Sequence, residues 1–426
     1  MPQAEVRGAE GWVGRAFRVG GVGKEEGGAG WGRSVGGDEG ERVVGGGAMS
    51  SIAMRNQLLG KCKELMCTPP AKLMEDLAKT ESEEEALEYL DLNGQSLGMH
   101  KRPLDYLQLF AVCNTLEDSR VRTLDLQYNK IDDSGAAKVA AVVSNGVLQT
   151  LRLQGNEIGA PGIDALVKAL NSETSVLKVL LLRGNPLGRV AGEALGRMLC
   201  GNKMLQELDV SDCDIECVAV TAVFAALMDH NRTLRSLSID NPRLHSVMQE
   251  TIMMAGDMLI RNKNLSALSL AKNGIDDAGL HILVEGMVRN HGLRNLGLRS
   301  NKITIMGGPS IARMLRSSTS LVKLDLSGNR LRDGGAADIA AALEDNASLI
   351  ELDLSFNAIG DLGLTSLATG IKRSSSLQTF YLWGNEFGVA SATAFYNLML
   401  KGDYNTDVRA YKVDDSIQIA KEFDSL

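Results

Sequence analysis

Aromatic side chains are scarce: Phe, Tyr and Trp make up 4% of the 426 residues. The core must therefore be built mainly from aliphatic side chains. Histidine is rarer still. The five copies, His100, His230, His245, His281 and His291, contain no His-x-x-x-His pair, so a zinc-protease helix is unsupported. No run approaches the roughly 18 apolar residues of a membrane span, and no membrane partner is expected. Basic excess is missing too, since 45 Lys+Arg against 53 Asp+Glu leave a net charge of −8. That balance argues against direct nucleic-acid binding, which needs a net basic face. Six unevenly spaced cysteines fit a reducing compartment better than a disulfide scaffold. Cys213 and Cys217 lie four apart, but no second Cys or His pair follows at zinc-finger spacing, so no metal or cofactor is expected. What remains, 44% hydrophobic and 23% charged, is the composition of a chain that forms a core.

Glycine is plentiful but unevenly placed. Of 46 copies, 16 fall within residues 1–48, a stretch with Trp12 and Trp31 but no Leu or Ile. Such a segment has a high ordering entropy and almost nothing to bury, so it is predicted to be disordered. It lacks the apolar centre of a secretory signal. Met49 opens a normal-looking segment and is expected to be the true start, with the preceding residues a mistranslated leader. The run GGVGKEEGG (20–28) has neither the spacing nor the Lys-Ser/Thr pair of a phosphate loop and follows no strand.

From residue 87 onward a repeat takes over. The pattern Leu-x-x-Leu-x-Leu-x-x-Asn-x-Ile/Leu appears as LQTLRLQGNEI at 148–158 and again at 265–275, 293–303, 321–331 and 349–359, with looser copies beginning at Leu87, Val121, Leu177, Leu205, Leu234 and Leu377. Later steps settle at 28 residues, inside the leucine-rich-repeat range. Leu-x-Leu places two side chains on one face of a short strand, and stacked copies make a parallel sheet with a leucine core. Asn129, Asn156, Asn185, Asn273, Asn301, Asn329, Asn357 and Asn385 form a column, with Cys213 in the same register. An inward amide there is predicted to satisfy the backbone groups of adjacent turns. Segments such as 132–145 and 333–346 then carry Asp and Gly followed by aliphatics at helical spacing. An outer arc of helices is wider than an inner arc of strands, so the stack must curve. The predicted fold is α/β: a horseshoe solenoid with about eleven parallel inner strands and outer helices.

These motifs and the 28-residue length resemble the ribonuclease-inhibitor-like subfamily of leucine-rich repeats, over about 87–398. Further landmarks, SDCDI (211–215), IDNPRLHS (239–246), YLWGNEF (381–387) and TDVRAYKVD (406–414), occur in an order that looks like one branch of that group. The resemblance implies a non-catalytic protein of cytoplasm and nucleus, associated with the nucleolus, ribosome production and germ-cell or stem-cell differentiation. Relatives usually carry Asp-Gly where this chain has Asp414-Asp415. GTPase-activating proteins for the nuclear-transport GTPase share the repeat type, and Arg152, Arg183 or Arg299 could serve such a role. Those activators carry a long acidic tail that this sequence lacks.

Four regions are expected: a disordered segment 1–48, a helical cap 49–86 broken at Pro69-Pro70, the repeats 87–398, and a cap 399–426 with a β-hairpin. Pro242 interrupts the Asn column, and 240–262 hold three extra positions with Met248, Met253, Met254 and Met258. The insertion is expected either to be absorbed by Met packing or to kink the horseshoe into halves. Side chains between the paired leucines should line the hollow. Asp325 and Asp353 would stack there about 4.8 Å apart, beside Phe356, Tyr381 and Trp383, with Arg183 and Arg299 further along. In a chain so poor in aromatics, this group is the candidate seat for a protein partner.

Overall fold

The computed structural model describes residues 50–79, 87–96, 99, 102–116, 119–244, 248–400, 402–413 and 416–421. The expectations for residues 1–48, for Met49 and for the Asp414-Asp415 turn lie outside the described residues.

Each repeat contributes a three-residue strand followed by a helix. The strands β1 (Tyr89–Asp91), β2 (Thr123–Asp125), β3 (Thr150–Arg152), β4 (Val179–Leu181), β5 (Glu207–Asp209), β6 (Ser236–Ser238), β7 (Ala267–Ser269), β8 (Asn295–Gly297), β9 (Lys323–Asp325), β10 (Glu351–Asp353) and β11 (Thr379–Tyr381) pair in sequence order, all parallel. A short β12 (Asn405–Thr406) raises the total to 12 strands, one more than the repeat count predicts. Register puts leucine on leucine, from Leu90 beside Leu124 to Leu352 beside Phe380. That column and its partner two residues on are buried throughout. At about 25 cal/mol per Å² of apolar surface, this continuous leucine wall supplies the main stabilising term.

The helices lie side by side behind the sheet, and small residues set how close they come. A Cβ at Gly286 would meet the backbone of Gly256, and one at Gly370 the backbone of Ala340. Aspartates at the helix starts link consecutive turns. Asp133 accepts from the N–H groups of Gly159 and Gly162 in the next repeat, and Asp333 does the same for Gly360 and Gly363. Each carboxylate thus caps a neighbouring helix as well as suiting the N-terminal dipole of its own.

The asparagine column satisfies the turns as its spacing requires. Asn156 donates to the carbonyls of Leu126 and Leu153 at 3.0 and 2.9 Å, and its Oδ1 accepts from Asn129 and Ile131 at 2.9 and 3.0 Å. Cys213 substitutes with its thiol 3.2 Å from the carbonyls of both Leu182 and Ser211. The ladder breaks at one rung. Asn273 still donates to Ile239 and Ala271, but its buried Oδ1 has no partner. Elsewhere this oxygen receives the N–H two residues past the column residue of the repeat before, as Asn185 does from Ile158 and Asn301 from Ile275; here that residue is Leu244, whose N–H turns back to Pro242 O at 3.2 Å. Despite this, β6 and β7 pair in full register, so the sheet runs through the insertion without the kink. Met258 is buried and Met254 packs on the core, in the manner of gap-filling thioethers.

At the N-terminal side, helices Ser51–Glu64 and Ala71–Lys79 flank Pro69-Pro70 and bring Leu58, Leu73 and Leu77 into the same core as Leu90 and Leu92. At the other end, Phe380, Phe387, Phe395 and Tyr404 gather with ring centroids 5.6–5.9 Å apart. Much of the chain's small aromatic content is therefore spent where the leucine stack ends. Hairpin strands β13 (Val408–Val413) and β14 (Ser416–Lys421) are antiparallel and pack on the last repeat's helix, Val389–Met399. Asp407 completes the sheet. Elsewhere the N–H groups after each strand bond to carbonyls of the next repeat, as Leu354 does to Tyr381 and Phe356 to Trp383. After β11 no further repeat follows among the described residues, and Asp407 receives the N–H groups of Leu382 (2.8 Å) and Trp383 (3.2 Å) in its place.

Candidate partner-binding face

Alternation along each strand puts one set of side chains on the face opposite the leucines. On that face Asp325 lies in register with Asp353, and Gly297 with Asp325. Both carboxyls are buried, Asp325 to 0% exposure, which corrects the expectation that they stand open in the hollow. The reason is local. Asp325 accepts from the N–H of Ser327 at 2.8 Å and its hydroxyl at 2.6 Å, and Asp353 accepts from the N–H of Ser355 at 2.8 Å. The same bond to the residue two further on recurs at Asp91, Asp125 and Asp209. Aspartate at this position closes the strand end, so its recurrence is a turn requirement before it is a recognition signal.

Two features of the acid pair go beyond that role. Asp325 Oδ2 is buried without a hydrogen-bond partner. Burial, and after it the neighbouring Asp353, push the Asp325 carboxyl well above the ordinary range. Burial pushes Asp353 in the same direction, with Asp407 adding to it. Arg299 opposes both shifts from the adjoining repeat, while Lys323 and Glu351 beside them are paired to each other at 2.6 Å. Asp240, which accepts from Ser269 Oγ at 2.6 Å and Ala271 N–H at 2.8 Å, is likewise pushed by burial, to about 6. Among the described residues no group of three or more His, Cys, Asp or Glu could hold a metal ion.

The aromatic members divide. Tyr381 and Trp383 are half-buried, and Trp383 packs against the core, so neither is the open surface that its strand position suggests. Phe356 is different: it is 58% exposed and its ring lies across Gly384. It also has a φ of 55°. The same turn position is occupied by glycine at Gly155, Gly184, Gly328 and Gly384 and by Tyr128, Asp212, Asn241, Lys272 and Ser300 in other repeats, all with positive φ. A bulky side chain in this left-handed conformation is strained by roughly 1–2 kcal/mol. Arg183 is held by Asp212 at 2.9 Å and Arg152 approaches Asp125 at 3.4 Å. For Arg299, by contrast, no carboxylate among the described residues lies within salt-bridge distance. Asp325, Asp353, Phe356, Tyr381, Trp383 and Arg299 thus share one end of the face, and Arg183 stands apart.

A family profile described as Leucine Rich repeat matches residues 121–140, 144–167, 201–222, 261–281, 317–340 and 345–368. The chain is a leucine-rich-repeat protein of the ribonuclease-inhibitor-like kind. Over 203 residues it is 31% identical to NACHT, LRR and PYD domains-containing protein 9C of Mus musculus, covering 47% of this chain and 19% of that one. Protein 12 of the same name and organism is 28% identical over 194 residues, 45% of this chain and 18% of its own. Ribonuclease inhibitor of Sus scrofa is 26% identical over 186 residues, with 41% and 40% covered. This leucine-rich-repeat protein thus spans less than half the length of each of these relatives. No helix among its described residues is long and apolar enough to cross a membrane.

A second asparagine ladder escaped the sequence analysis. Asn202, Asn231, Asn262, Asn290 and Asn346 follow the helix ends on the opposite edge of the repeat. Asn231 donates to the carbonyls of Leu199 and Asn202, both at 3.0 Å, and accepts from Leu234 N–H at 2.9 Å; Asn262 and Asn290 repeat the pattern. Its signal was present, because each stands three residues before the first leucine of its motif, with Ser318 and Ser374 in the same place.

Proposed function

We propose that this protein is a non-catalytic scaffold that holds a protein partner against the C-terminal end of its inner face. Leucine-rich repeats of this kind are typically non-catalytic binders, which supports the general reading. The observation that carries the site is Phe356. It is a large aromatic, 58% exposed, at a left-handed turn position that Tyr128, Asp212, Asn241, Lys272 and Ser300 also occupy along the stack. What sets Phe356 apart is the exposure of an aromatic ring, and exposed aromatics are frequent anchors of protein interfaces. Tyr381 and Trp383 form its half-buried base, Asp325 and Asp353 the polar floor, and Arg299 a cation at the edge. Arg183 would serve a more distant contact. Eleven strands at about 4.8 Å span roughly 48 Å, ample for a standard interface.

Phe356→Ala should lower partner affinity at least tenfold in affinity purification from cell extract, with a melting temperature little changed. Retained capture by that variant would remove the site. Trp383→Ala is the less informative change, because a side chain packed on the core costs stability whether or not it binds. A place in cytoplasm and nucleus, and work around the nucleolus, ribosome production and differentiation, rest on the order of the landmark turns. Imaging of the tagged full chain tests them.

A further inference from the structure

The helix Ser51–Glu64 ends in a tight reversal whose hydrogen bonds are all in place. Met66 N–H donates to Lys63 O at 3.3 Å and Cys67 N–H to Cys62 O at 3.0 Å, while Met66 takes a φ of 52°. In this type of helix end, the residue two beyond the cap contacts the residue three before it. Here both contact positions are cysteine. Glycine is the usual occupant of the left-handed site, yet a methionine that is 93% exposed holds it. The side chain of Met66 gains nothing from packing, so the turn is maintained by what it brings together. Cys62 is buried against the neighbouring helix Tyr106–Leu116, and Cys67 is half-buried at the core's margin.

We propose that Cys62 and Cys67 are a redox-active dithiol that closes into an intramolecular disulfide, clasping the end of the helix that covers the first repeats. The oxidant is a small disulfide such as glutathione disulfide. The accessible Cys67 attacks first as its thiolate, forming a mixed disulfide and expelling one glutathione thiolate. Cys62 then gives up its proton to that thiolate and attacks the Cys67 sulfur, expelling the second. Two protein thiols lose two electrons, and one glutathione disulfide becomes two glutathione thiols. The Cys62 thiol is pushed up to about 12 by burial, with Cys67 beside it adding to the shift. The second step is therefore slow at neutral pH and speeds up about tenfold per pH unit as the thiolate fraction grows. Closed, the bridge would hold the cover of the leucine stack in place; reduced, it leaves the helix end to its hydrogen bonds.

The test uses the full chain with Cys200→Ser, which removes an exposed competing thiol. After equilibration with glutathione disulfide at pH 8.5, acid quenching and alkylation, trypsin cuts at Lys61, Lys63 and Lys72. Cys62 leaves in residues 62–63 and Cys67 in residues 64–72. The expected product is these two peptides joined, two hydrogens lighter than their reduced sum and separated by reductant. In Cys67→Ser, Cys62 should remain a thiol that alkylates after unfolding. Recovery of Cys67 as a lasting glutathione adduct, or of Cys62 joined to Cys113, would overturn the proposal.

Discussion

Asn329→Ala lowers the stability of the repeat array by about 2–4 kcal/mol, a large loss for a single polar side chain. The amide donates to Leu298 O at 3.0 Å and Leu326 O at 2.8 Å, and accepts from Ile303 N–H at 3.2 Å. The buried Ile303 N–H loses its partner, which costs roughly 1–3 kcal/mol, while Leu298 O and Leu326 O each lose one of two donors and keep the amides of Asn301 and Asn357. Alanine replaces none of the lost bonds. The exposed Lys302, next to Ile303, is the control, and Lys302→Ala should stay within about 0.5 kcal/mol. Urea unfolding followed by far-ultraviolet circular dichroism measures both. A loss below about 1 kcal/mol for Asn329→Ala would mean that water reaches the turn and the ladder is not a stabilising element. Because repeats unfold in a nearest-neighbour manner, the loss should appear first as an early transition in the C-terminal repeats.

The second large effect is electrostatic and has the opposite sign. Asp325 is pushed up to about 7 and Asp353 to about 6, both by burial first. In the unfolded chain an aspartate titrates near about 3.9. Between those values the folded protein binds more protons than the unfolded one, so stability falls as pH rises from about 4 to about 7 and then levels off. Asp325→Asn removes the penalty without removing the turn. Its carbonyl can still accept from Ser327, and the neutral amide removes the buried charge beside Asp353. We expect this variant to gain about 2–4 kcal/mol at pH 8 relative to the parent. The difference should shrink toward zero near pH 4. Thermal unfolding across that range decides it. A parent whose stability rises with pH over the same interval would show that the two carboxyls are solvated and charged.

Much of the fold could be read from the chain because its information is periodic. Leu-x-Leu at a 28-residue step specifies a strand, its face and its neighbours together, and the asparagine column follows from the same count. Other features depend on what curvature and chain ends do to side chains. Alternation told which face Asp325 occupies, but not that Ser327 and the adjoining strands would close over it. Nor could it show that Trp383 rests on the core while Phe356, one repeat earlier, stands clear. The second ladder was legible at its fixed distance before the first leucine, yet asparagine after a helix reads as an ordinary cap when repeats are not aligned. Arg183 looked available from its strand position. Its partner Asp212 lies at the left-handed turn position of the next repeat, where the φ of 54° recurs along the stack but an acidic side chain does not.

A parallel sheet built by counting has no intrinsic reason to stop, and its last row of N–H groups is a template on which another molecule could continue it. Asp407 occupies that template. A second copy approaching end-on meets a carboxyl already engaged with the groups it would need, backed by a hairpin set across the growth direction. With β12 already paired along β11, an incoming copy would have to displace both that strand and this carboxyl before the sheet could lengthen.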